Sequence, residues 1–371
     1  MNIRHFSPDD VDAFLTLYEA AFGSDWLTEA YVRWKYTSLT ELADWPIVVA
    51  EEEGELVGAI GLLALRLRVE DVSVLGIQPV DVMVHPEHRG KNVFLDLIQA
   101  ARNRLYPDEY LEFGWPNADT VGIWTRLQQW TLINERTHKF RYHRLRDHLD
   151  VDPEDRTQRI TARVLCWLYR AWLPLRDARS LPSAGVYDVT VHAEPPVETL
   201  AEMYARTTPG RLHVVRDVPF YENRLANPLN AYTTYVAEDP DGVSVATLII
   251  SKFEHGDTVE VADVLPIDPS SIRLDGLRAI LRRVIRDHSE AAALKWSPAL
   301  PEELCGEYGF SSSEWAASML ESGPAAAYTS SLVPDMEPMT LCGHLVGFDS
   351  LPVDYTDYNA WHLSGIEKDT I

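Results

Sequence analysis

A positively charged turn between an apolar strand and an amphipathic helix carries the sharpest chemical signal in this sequence. From Val80 to Phe94 the chain reads Val-Asp-Val-Met-Val-His-Pro-Glu-His-Arg-Gly-Lys-Asn-Val-Phe. The first amides of a helix are unpaired and lie at the positive end of its dipole, so they bind phosphate groups. Gly90 lets the backbone approach an anion closely, and Arg89 and Lys91 add positive charge. The segment therefore predicts an anion-binding cradle.

The elements that must position this cradle occur twice along the chain. Segment 31–36 resembles 220–225, the strand–turn–strand pattern from Val48 resembles that from Tyr235, and 81–83 resembles 263–265. An amphipathic helix follows each copy, with apolar residues three and four positions apart. The matching order of elements predicts two copies of one α/β fold. Two unrelated α/β domains with similar strand–turn–strand patterns are the alternative.

Each copy is expected to be an α/β (α+β) sandwich, in which helices flank a mixed, mostly antiparallel sheet. We predict a first domain over residues 1–148, a linker with a helix over 149–185, a second domain over 186–345 and a C-terminal extension over 346–371. The length of 371 residues agrees with two domains, because a domain averages roughly 100–200 residues.

The chain is strongly acidic, and this charge bears on its partners. It has 33 Lys and Arg against 57 Asp and Glu, with a formal net charge of −24, and only 6 of the basic residues are Lys. Acidic residues exceed basic ones in both halves. Such a surface repels phosphate backbones, so nucleic-acid binding is not expected as the main activity. The composition resembles that of proteins from cells that accumulate salt, where high salt screens the repulsion.

Other patterns set expectations for compartment and metals. Cys166, Cys305 and Cys342 lack metal-ligand or disulfide-framework spacing, so we predict a reduced, cytoplasmic protein without a metal. No signal peptide is expected. The most apolar stretch, 160–175, contains two arginines and a proline, and is too short and too charged to span a membrane. It is interpreted as a linker or core helix, with a helix lying on a membrane surface as the alternative.

At the cradle the sequence resembles the GCN5-related N-acetyltransferase (GNAT) superfamily. The acyl-CoA loop of that family reads Arg/Gln-x-x-Gly-x-Gly/Ala after a strand ending Val-x-Pro-Glu-x. Residues 84–91, Val-His-Pro-Glu-His-Arg-Gly-Lys, fit this pattern. Asn92 and Phe94 depart from it, where the family has Gly and then Gly or Ala. Asparagine tolerates left-handed or helix-cap geometry, whereas Phe94 is expected to change how the helix packs on the strand.

The resemblance implies acetyl-CoA as the co-substrate. Backbone groups of the strand would pair with its pantetheine arm, one backbone N–H would stabilise the oxyanion, and the cradle would hold the phosphates. Asn117, which opens the helix after the fifth strand, would face the arm, unless it is an ordinary helix cap. The cofactor-binding residues implied in this way are Val82, Met83, Val84, Arg89, Gly90, Lys91, Asn92, Val93, Phe94 and Asn117.

The resemblance also implies direct attack of an amine on the thioester, which requires a base for the ammonium proton. Asp81 and Glu112, on neighbouring strands, are the candidates. Because a one-residue shift turns a strand side chain to the other face, the sequence does not decide between them. The family often has a tyrosine that protonates the departing thiolate, at a position where this chain has Trp124. Tyr142 is the candidate substitute, and water is another source of the proton.

The second copy lacks the cradle. Asp268-Pro269-Ser270-Ser271 stands where Arg89-Gly90-Lys91-Asn92 should recur, so we expect no coenzyme A there. This copy is expected either to wall off the acceptor pocket or only to stabilise the first copy.

These observations predict a tandem GNAT N-acyltransferase that moves an acetyl group from acetyl-CoA to a small-molecule or peptide amine. Two alternatives stay open. A non-catalytic acyl-CoA-binding or scaffold protein is consistent with Asn92, Phe94 and Trp124. A peptide-bridge aminoacyl transferase also pairs two such folds, but the intact cradle and the acidic surface argue against it. The acceptor and the oligomeric state are not predicted.

Overall fold

The computed structural model describes residues 1–37, 41–136, 139–179, 187–206, 210–268, 273–297, 299–312, 339–348 and 350–367. Over these residues the chain forms nine α-helices and sixteen β-strands. The helices are α1 Val11–Phe22, α2 Glu29–Thr37, α3 Val93–Leu105, α4 Ala118–Leu127, α5 Arg156–Arg179, α6 Val197–Ala205, α7 Val218–Arg224, α8 Leu274–Asp287 and α9 Glu302–Glu307. The strands are β1 Asn2–His5, β2 Ile47–Glu52, β3 Glu55–Val69, β4 Val72–Val84, β5 Tyr110–Gly114, β6 Thr131–Arg136, β7 Lys139–Tyr142, β8 Asp188–His192, β9 Leu212–Val214, β10 Asn230–Glu238, β11 Ser244–Phe253, β12 Thr258–Leu265, β13 Ala293–Lys295, β14 Ser311–Ser312, β15 Met339–Val346 and β16 Trp361–His362.

The first sheet is mixed, and most of its strand pairs are antiparallel, as predicted. Its strand order is β1-β2-β3-β4-β5-β15-β6, and β9 pairs with both β3 and β16. The β1–β2, β2–β3, β3–β4, β5–β15 and β3–β9 pairs are antiparallel. The β4–β5 and β9–β16 pairs are parallel. A parallel β4–β5 pair requires a crossover connection, which α3 provides.

The second sheet has the order β14-β7-β13-β12-β11-β10-β8. It repeats the pattern of the first sheet, because a parallel pair, β12–β13, follows a run of antiparallel strands. Helix α8 connects this parallel pair, as α3 connects the pair in the first sheet. The two copies of one α/β architecture predicted from the repeat are therefore present.

Contacts divide the chain into two compact units, neither of which is continuous in sequence. The first unit comprises Met1–Asn134, Pro209–Leu229 and Thr340–His362, and the second comprises Glu135–Thr208, Asn230–Met339 and Leu363–Ile371. The continuous ranges predicted from the sequence differ from these units. The reason is strand pairing, because β15 completes the first sheet beside β5, whereas β7 completes the second sheet beside β13.

Helix α3 packs on the first sheet through the face that its apolar spacing predicted. Val93, Leu97, Ile98 and Ala101 are buried among strand residues of the same cluster. Each fully buried Leu, Ile or Val side chain contributes roughly 1.5–3 kcal/mol. The helix lies close to the sheet at Gly58, where a Cβ atom would stand 2.9 Å from the side chains of both Leu97 and Val93.

Helices α8 and α5 form cores in the second unit. The predicted apolar face of α8, which includes Leu277, Leu281 and Val284, is buried against β10, β11 and β12. Helix α5, predicted as part of a linker, packs in a core cluster with Phe140 and Tyr142 of β7. Parts of three predicted segments, residues 180–185, 269–271 and 368–371, lie outside the described residues.

Across the described part of the chain, no helix is both long enough and apolar enough to cross a membrane.

The close approach at Gly58 predicts a position-specific cost of adding one methyl group. Gly58→Ala is expected to lower the free energy of unfolding by about 1–3 kcal/mol, because its Cβ overlaps two core side chains. Gly122→Ala is the control, since Gly122 lies inside α4 and a Cβ there meets nothing within 4 Å. Alanine stabilises such a helix by about 0.5–1 kcal/mol. Urea unfolding measures the free energy of unfolding of both variants. Equal changes in the two would contradict the close packing at Gly58.

Candidate active site

The predicted cradle is a turn with two residues in the left-handed backbone region. After β4 ends at Val84, a short 3₁₀ turn over Pro86–His88 leads to Arg89, which is extended. Gly90 has φ 78°, and Asn92 has φ 62° and ψ 8°. Asparagine occupies this region more readily than other non-glycine residues, so it replaces the family's glycine here without a large steric cost.

The first turn of α3 opens directly after Asn92. Its first helical hydrogen bond runs from the amide of Asp96 to the carbonyl of Asn92, at 3.0 Å. The amides of Val93, Phe94 and Leu95 precede this bond and have no helical acceptor. Together with the positive end of the helix dipole, they form the donor set that phosphate oxygens require. The residues present therefore fit the diphosphate of coenzyme A.

The two cations of the turn differ in how firmly they are held. The Nη2 atom of Arg89 donates to the carbonyl of Ala21, at the C-terminal end of α1, over 3.0 Å. Arg89 remains exposed, and so does Lys91. Arg89 thus links the cradle to α1, while Lys91 adds positive charge at the surface of an acidic protein.

A bulge in β4 lies just before the cradle. Ala59 pairs with Met83 and Gly61 pairs with Val80, so Asp81 and Val82 together oppose one residue of β3. Asp81 has φ 47°, which is rare for a residue with a side chain. Such bulges redirect a side chain and interrupt pairing.

The carboxylate of Asp81 is held by two donors from α2. Lys35 Nζ lies 2.8 Å and Tyr36 OH 2.5 Å from the same oxygen, Oδ2. The Lys35 side chain is 2% exposed and that of Asp81 is 12% exposed. Among the described residues none donates a hydrogen bond to Oδ1 of Asp81. The carboxylate is therefore fixed through one oxygen, Oδ2.

Gly61 makes this arrangement possible. A Cβ at Gly61 would overlap the hydroxyl of Tyr36, so only glycine leaves room for that hydroxyl to reach Asp81. Lys35 and Tyr36 were missed as site residues by sequence reasoning. Their spacing contained the signal, because Tyr31 and Lys35, like Val32 and Tyr36, stand four positions apart and share the buried face of α2.

The edge of β4 that precedes the cradle is open toward β5. Among the described residues, pairing of β4 with β5 is confined to Gly76 with Leu111 and Ile77 with Glu112, whereas β4 continues to Val84. Backbone N–H and C=O groups on this edge beyond Ile77 are thus not used by β5. An extended chain such as the pantetheine arm can pair with them as an added strand would.

Glu112, the other candidate base, belongs to a closed network. Its side chain is fully buried, and it accepts hydrogen bonds from Arg102 Nη2 at 2.6 Å, Tyr106 OH at 2.6 Å and Trp130 Nε1 at 2.8 Å. Burial, together with the adjacent carboxylate, holds the pKa of Tyr106 well above its usual range. Both oxygens of Glu112 are hydrogen-bonded and its side chain is buried, so the geometry favours packing and charge pairing over contact with a substrate amine.

Tyr142, the candidate proton donor, lies in the second unit. It stands on β7, beside Phe140 and Tyr169, and is buried. Burial raises the pKa of Tyr142 to about 12. Because β7 joins the second sheet, the structure does not bring Tyr142 into the sheet that carries the cradle.

The two bulky departures from the family pattern contact each other. The rings of Phe94 and Trp124 meet edge to face, with centroids 5.9 Å apart. Trp124 also packs on Trp130 at 4.4 Å. Trp124 thus fills the space beside Phe94. Sequence reasoning treated these as separate anomalies.

Asn117 caps helix α4. Its Oδ1 atom accepts from the amide of Thr120 at 3.0 Å and from the Thr120 hydroxyl at 2.7 Å. Helix capping thus occupies the Oδ1 atom of Asn117. A contact with a cofactor would have to come from the side-chain amide nitrogen.

Residues 2–126 match the sequence family described as "Acetyltransferase (GNAT) domain". This matched part of the chain contains the cradle, the bulge and Asp81. No curated protein matches the chain at a significant level.

Solved structures resemble the chain over nearly its whole length. A tandem GNAT protein from the clavulanic acid biosynthesis pathway has a TM-score of 0.53 at 13% identity, over 94% of this chain and 99% of its own. A probable N-acyltransferase from Enterococcus faecalis V583 gives 0.54 at 9% identity, over 93% and 72%. A GCN5-related N-acetyltransferase from Kribbella flavida gives 0.53 at 13% identity, over 93% and 70%. At such identities the likeness shows the fold, which is that of tandem GNAT proteins.

The closed network around Glu112 predicts a large stability effect. Glu112→Gln is expected to lower the free energy of unfolding by about 3 kcal/mol, because it leaves the Arg102 charge without its buried partner. Glu109→Gln, three residues earlier and exposed, should change it by less than about 0.5 kcal/mol. Urea unfolding at neutral pH compares the two. A Glu112→Gln protein as stable as its control would contradict the structural role.

Proposed function

We propose that the chain is an N-acyltransferase that transfers an acetyl group from acetyl-CoA to an amine by direct attack. The observation that carries the proposal is the cradle at the end of a strand whose edge is open. In one stretch of β4 and α3, the chain offers backbone groups for an extended arm and amides for a diphosphate. The GNAT domain over residues 2–126 supports the same class of activity.

The residues around this edge would bind the cofactor. Val82, Met83 and Val84 would pair with the pantetheine arm, and the amides of Val93 and Phe94 would bind phosphate oxygens. Gly90 and Asn92 hold the turn in its left-handed conformation, and Arg89 and Lys91 offset the phosphate charge. Bound acetyl-CoA supplies a thioester carbonyl, and a backbone N–H of β4 would stabilise its developing negative charge.

Asp81 is the proposed general base. Its Oδ1 atom would accept the proton that the attacking amine loses, while Lys35 and Tyr36 hold Oδ2 in place. As the new C–N bond forms and the C–S bond breaks, the leaving thiolate would take a proton from water. Trp124, which stands where the family often has a tyrosine, has no acidic proton to give at neutral pH.

The surroundings of the reaction are also proposals. The acceptor is a small-molecule or peptide amine, no metal is required, and the protein is cytoplasmic. The evenly spread negative charge supports activity in concentrated salt, so assays belong in molar as well as dilute KCl.

Binding of acetyl-CoA tests the cradle. Lys91→Glu is expected to raise the Kd about 30-fold in dilute salt, because an attraction of roughly 1 kcal/mol becomes a repulsion of similar size. Lys252→Glu makes the same charge change at an exposed position of β11 and should leave the Kd unchanged. Calorimetry measures both, and the difference should shrink in about 1 M KCl. Failure of the parent protein to bind acetyl-CoA at either salt would overturn the proposal.

Thiol release with a panel of amines tests the chemistry. Asp81→Asn is expected to lower kcat/KM about 100-fold or more, because the base is lost. Asp71→Asn, a fully exposed residue of the β3–β4 turn, is the control. Acetyl-CoA affinity should be unchanged in both, which separates loss of the base from loss of the fold.

Two outcomes would count against the proposed chemistry. A normal rate in Asp81→Asn would remove Asp81 from the mechanism. Tight acetyl-CoA binding with no thiol released from any amine would favour the acyl-CoA-binding or scaffold alternative instead.

A further inference from the structure

Helix α5 has an outer face that the described residues leave uncovered. Its inner face, with Ala162, Leu165 and Tyr169, is buried in the second unit. Four large apolar side chains on the outer face are exposed, which is unusual for residues of this type on a single helix. They are Ile160 at 51%, Val164 at 52%, Trp167 at 68% and Leu168 at 38% exposure. We call these four residues the apolar stripe.

A row of arginines runs beside the apolar stripe. Arg156, Arg159, Arg163 and Arg170 are exposed. At about 100° per residue, they fall between the stripe and the buried face, on one side of the helix. The row extends over roughly 21 Å of the helix axis.

The charge of this helix is opposite to that of the protein. Residues 156–179 contain six Arg against one Asp and no Glu, in a chain whose formal net charge is −24. Acidic residues do precede the helix, and Asp155 caps its first amides. These acidic residues lie at the N-terminal end of α5, whereas Arg163 and Arg170 lie farther along the helix.

We propose that the outer face of α5 binds an anionic lipid surface. A helix that presents Trp, Leu, Ile and Val beside a basic row lies in a membrane interface, with its apolar side chains among the acyl chains and its cations at the headgroups. Guanidinium groups bind phosphates strongly, and tryptophan favours the interface. At physiological salt, the repulsion between acidic groups of the protein and the anionic lipid is screened over about 8 Å. Acidic groups farther than this from the lipid therefore weaken binding little.

A second copy of the chain is a less suitable occupant. The other exposed large apolar residues of the described chain are spread along the sequence rather than aligned on one helix, so α5 would have to pair with α5 of its copy. Antiparallel pairing would place the two arginine rows side by side, where like charges are destabilising. A lipid surface supplies phosphates to the whole row without that repulsion.

Vesicle flotation tests the proposal with the full chain, and it does not depend on the proposed acetyl transfer. The protein is mixed with vesicles of phosphatidylcholine alone, or of phosphatidylcholine with phosphatidylglycerol, in about 0.15 M KCl, where acidic groups far from the lipid are screened. We expect the parent protein to float with the mixed vesicles and to remain behind with phosphatidylcholine alone. Ile160→Ser with Trp167→Ser should abolish flotation, and Arg163→Gln with Arg170→Gln should weaken partition by about fivefold per arginine.

Matched controls come from the same unit. Val243→Ser removes an apolar residue of 46% exposure, and Arg286→Gln removes an arginine whose side chain is 74% exposed. Both should float as the parent does. Far-ultraviolet circular dichroism and thermal unfolding check that every variant is folded, which is expected because the altered side chains are exposed.

Three results would overturn the proposal. The first is no flotation of the parent protein with phosphatidylglycerol vesicles. The second is equal flotation of the parent and the double serine variant. The third is that the parent protein forms a dimer in solution and the double serine variant is a monomer, because this would assign the apolar stripe to a second copy of the chain.

Discussion

In the described part of the chain, strand β4 pairs with β3 along one edge and with β5 only at Gly76 and Ile77 of the other, and the candidate site depends on this asymmetry. Strand β3 pairs with it from Val72 to Val84, apart from the bulge at Asp81 and Val82. Strand β5 leaves it after Ile77. The same few residues therefore provide an open backbone edge, a redirected carboxylate and the entry to the cradle. The open edge would not exist if the β4–β5 ladder continued to the end of β4.

The bulge brings a cost that its neighbours offset. Asp81 is held in a left-handed conformation, which ordinary residues avoid. Two donors on one carboxylate oxygen, one of them a buried lysine, keep it there. Gly61 completes the arrangement by making room for the Tyr36 hydroxyl. A charged pair of this kind needs good geometry to be favourable, and helix α2 supplies it by presenting adjacent residues, Lys35 and Tyr36, at the strand.

Local patterns predicted the local structure well. The apolar spacing of α3 and α8, the turn at Gly90 and the fold class follow from properties that a short segment carries by itself. The choice between Asp81 and Glu112 was beyond such patterns, because a single extra residue at the bulge decides which way Asp81 points. The buried network of Glu112 depends on Arg102, Tyr106 and Trp130, whose proximity to it is tertiary. The pairing of β15 with β5 and of β7 with β13 was likewise not predictable, because the apolar pattern of a strand does not indicate which strand it pairs with.

The position of β15 has a consequence for how the protein is made. Strand β5 finds its neighbour only when residues 339–346 have been synthesised. Until then, a nascent chain that already contains the cradle presents an incomplete sheet with a hydrogen-bonding edge exposed, and such edges favour association between chains. A gene fragment that stops after the first 148 residues would encode the same unfinished state permanently. The sheet that carries the cradle is thus completed only by a strand more than 200 residues farther along the chain.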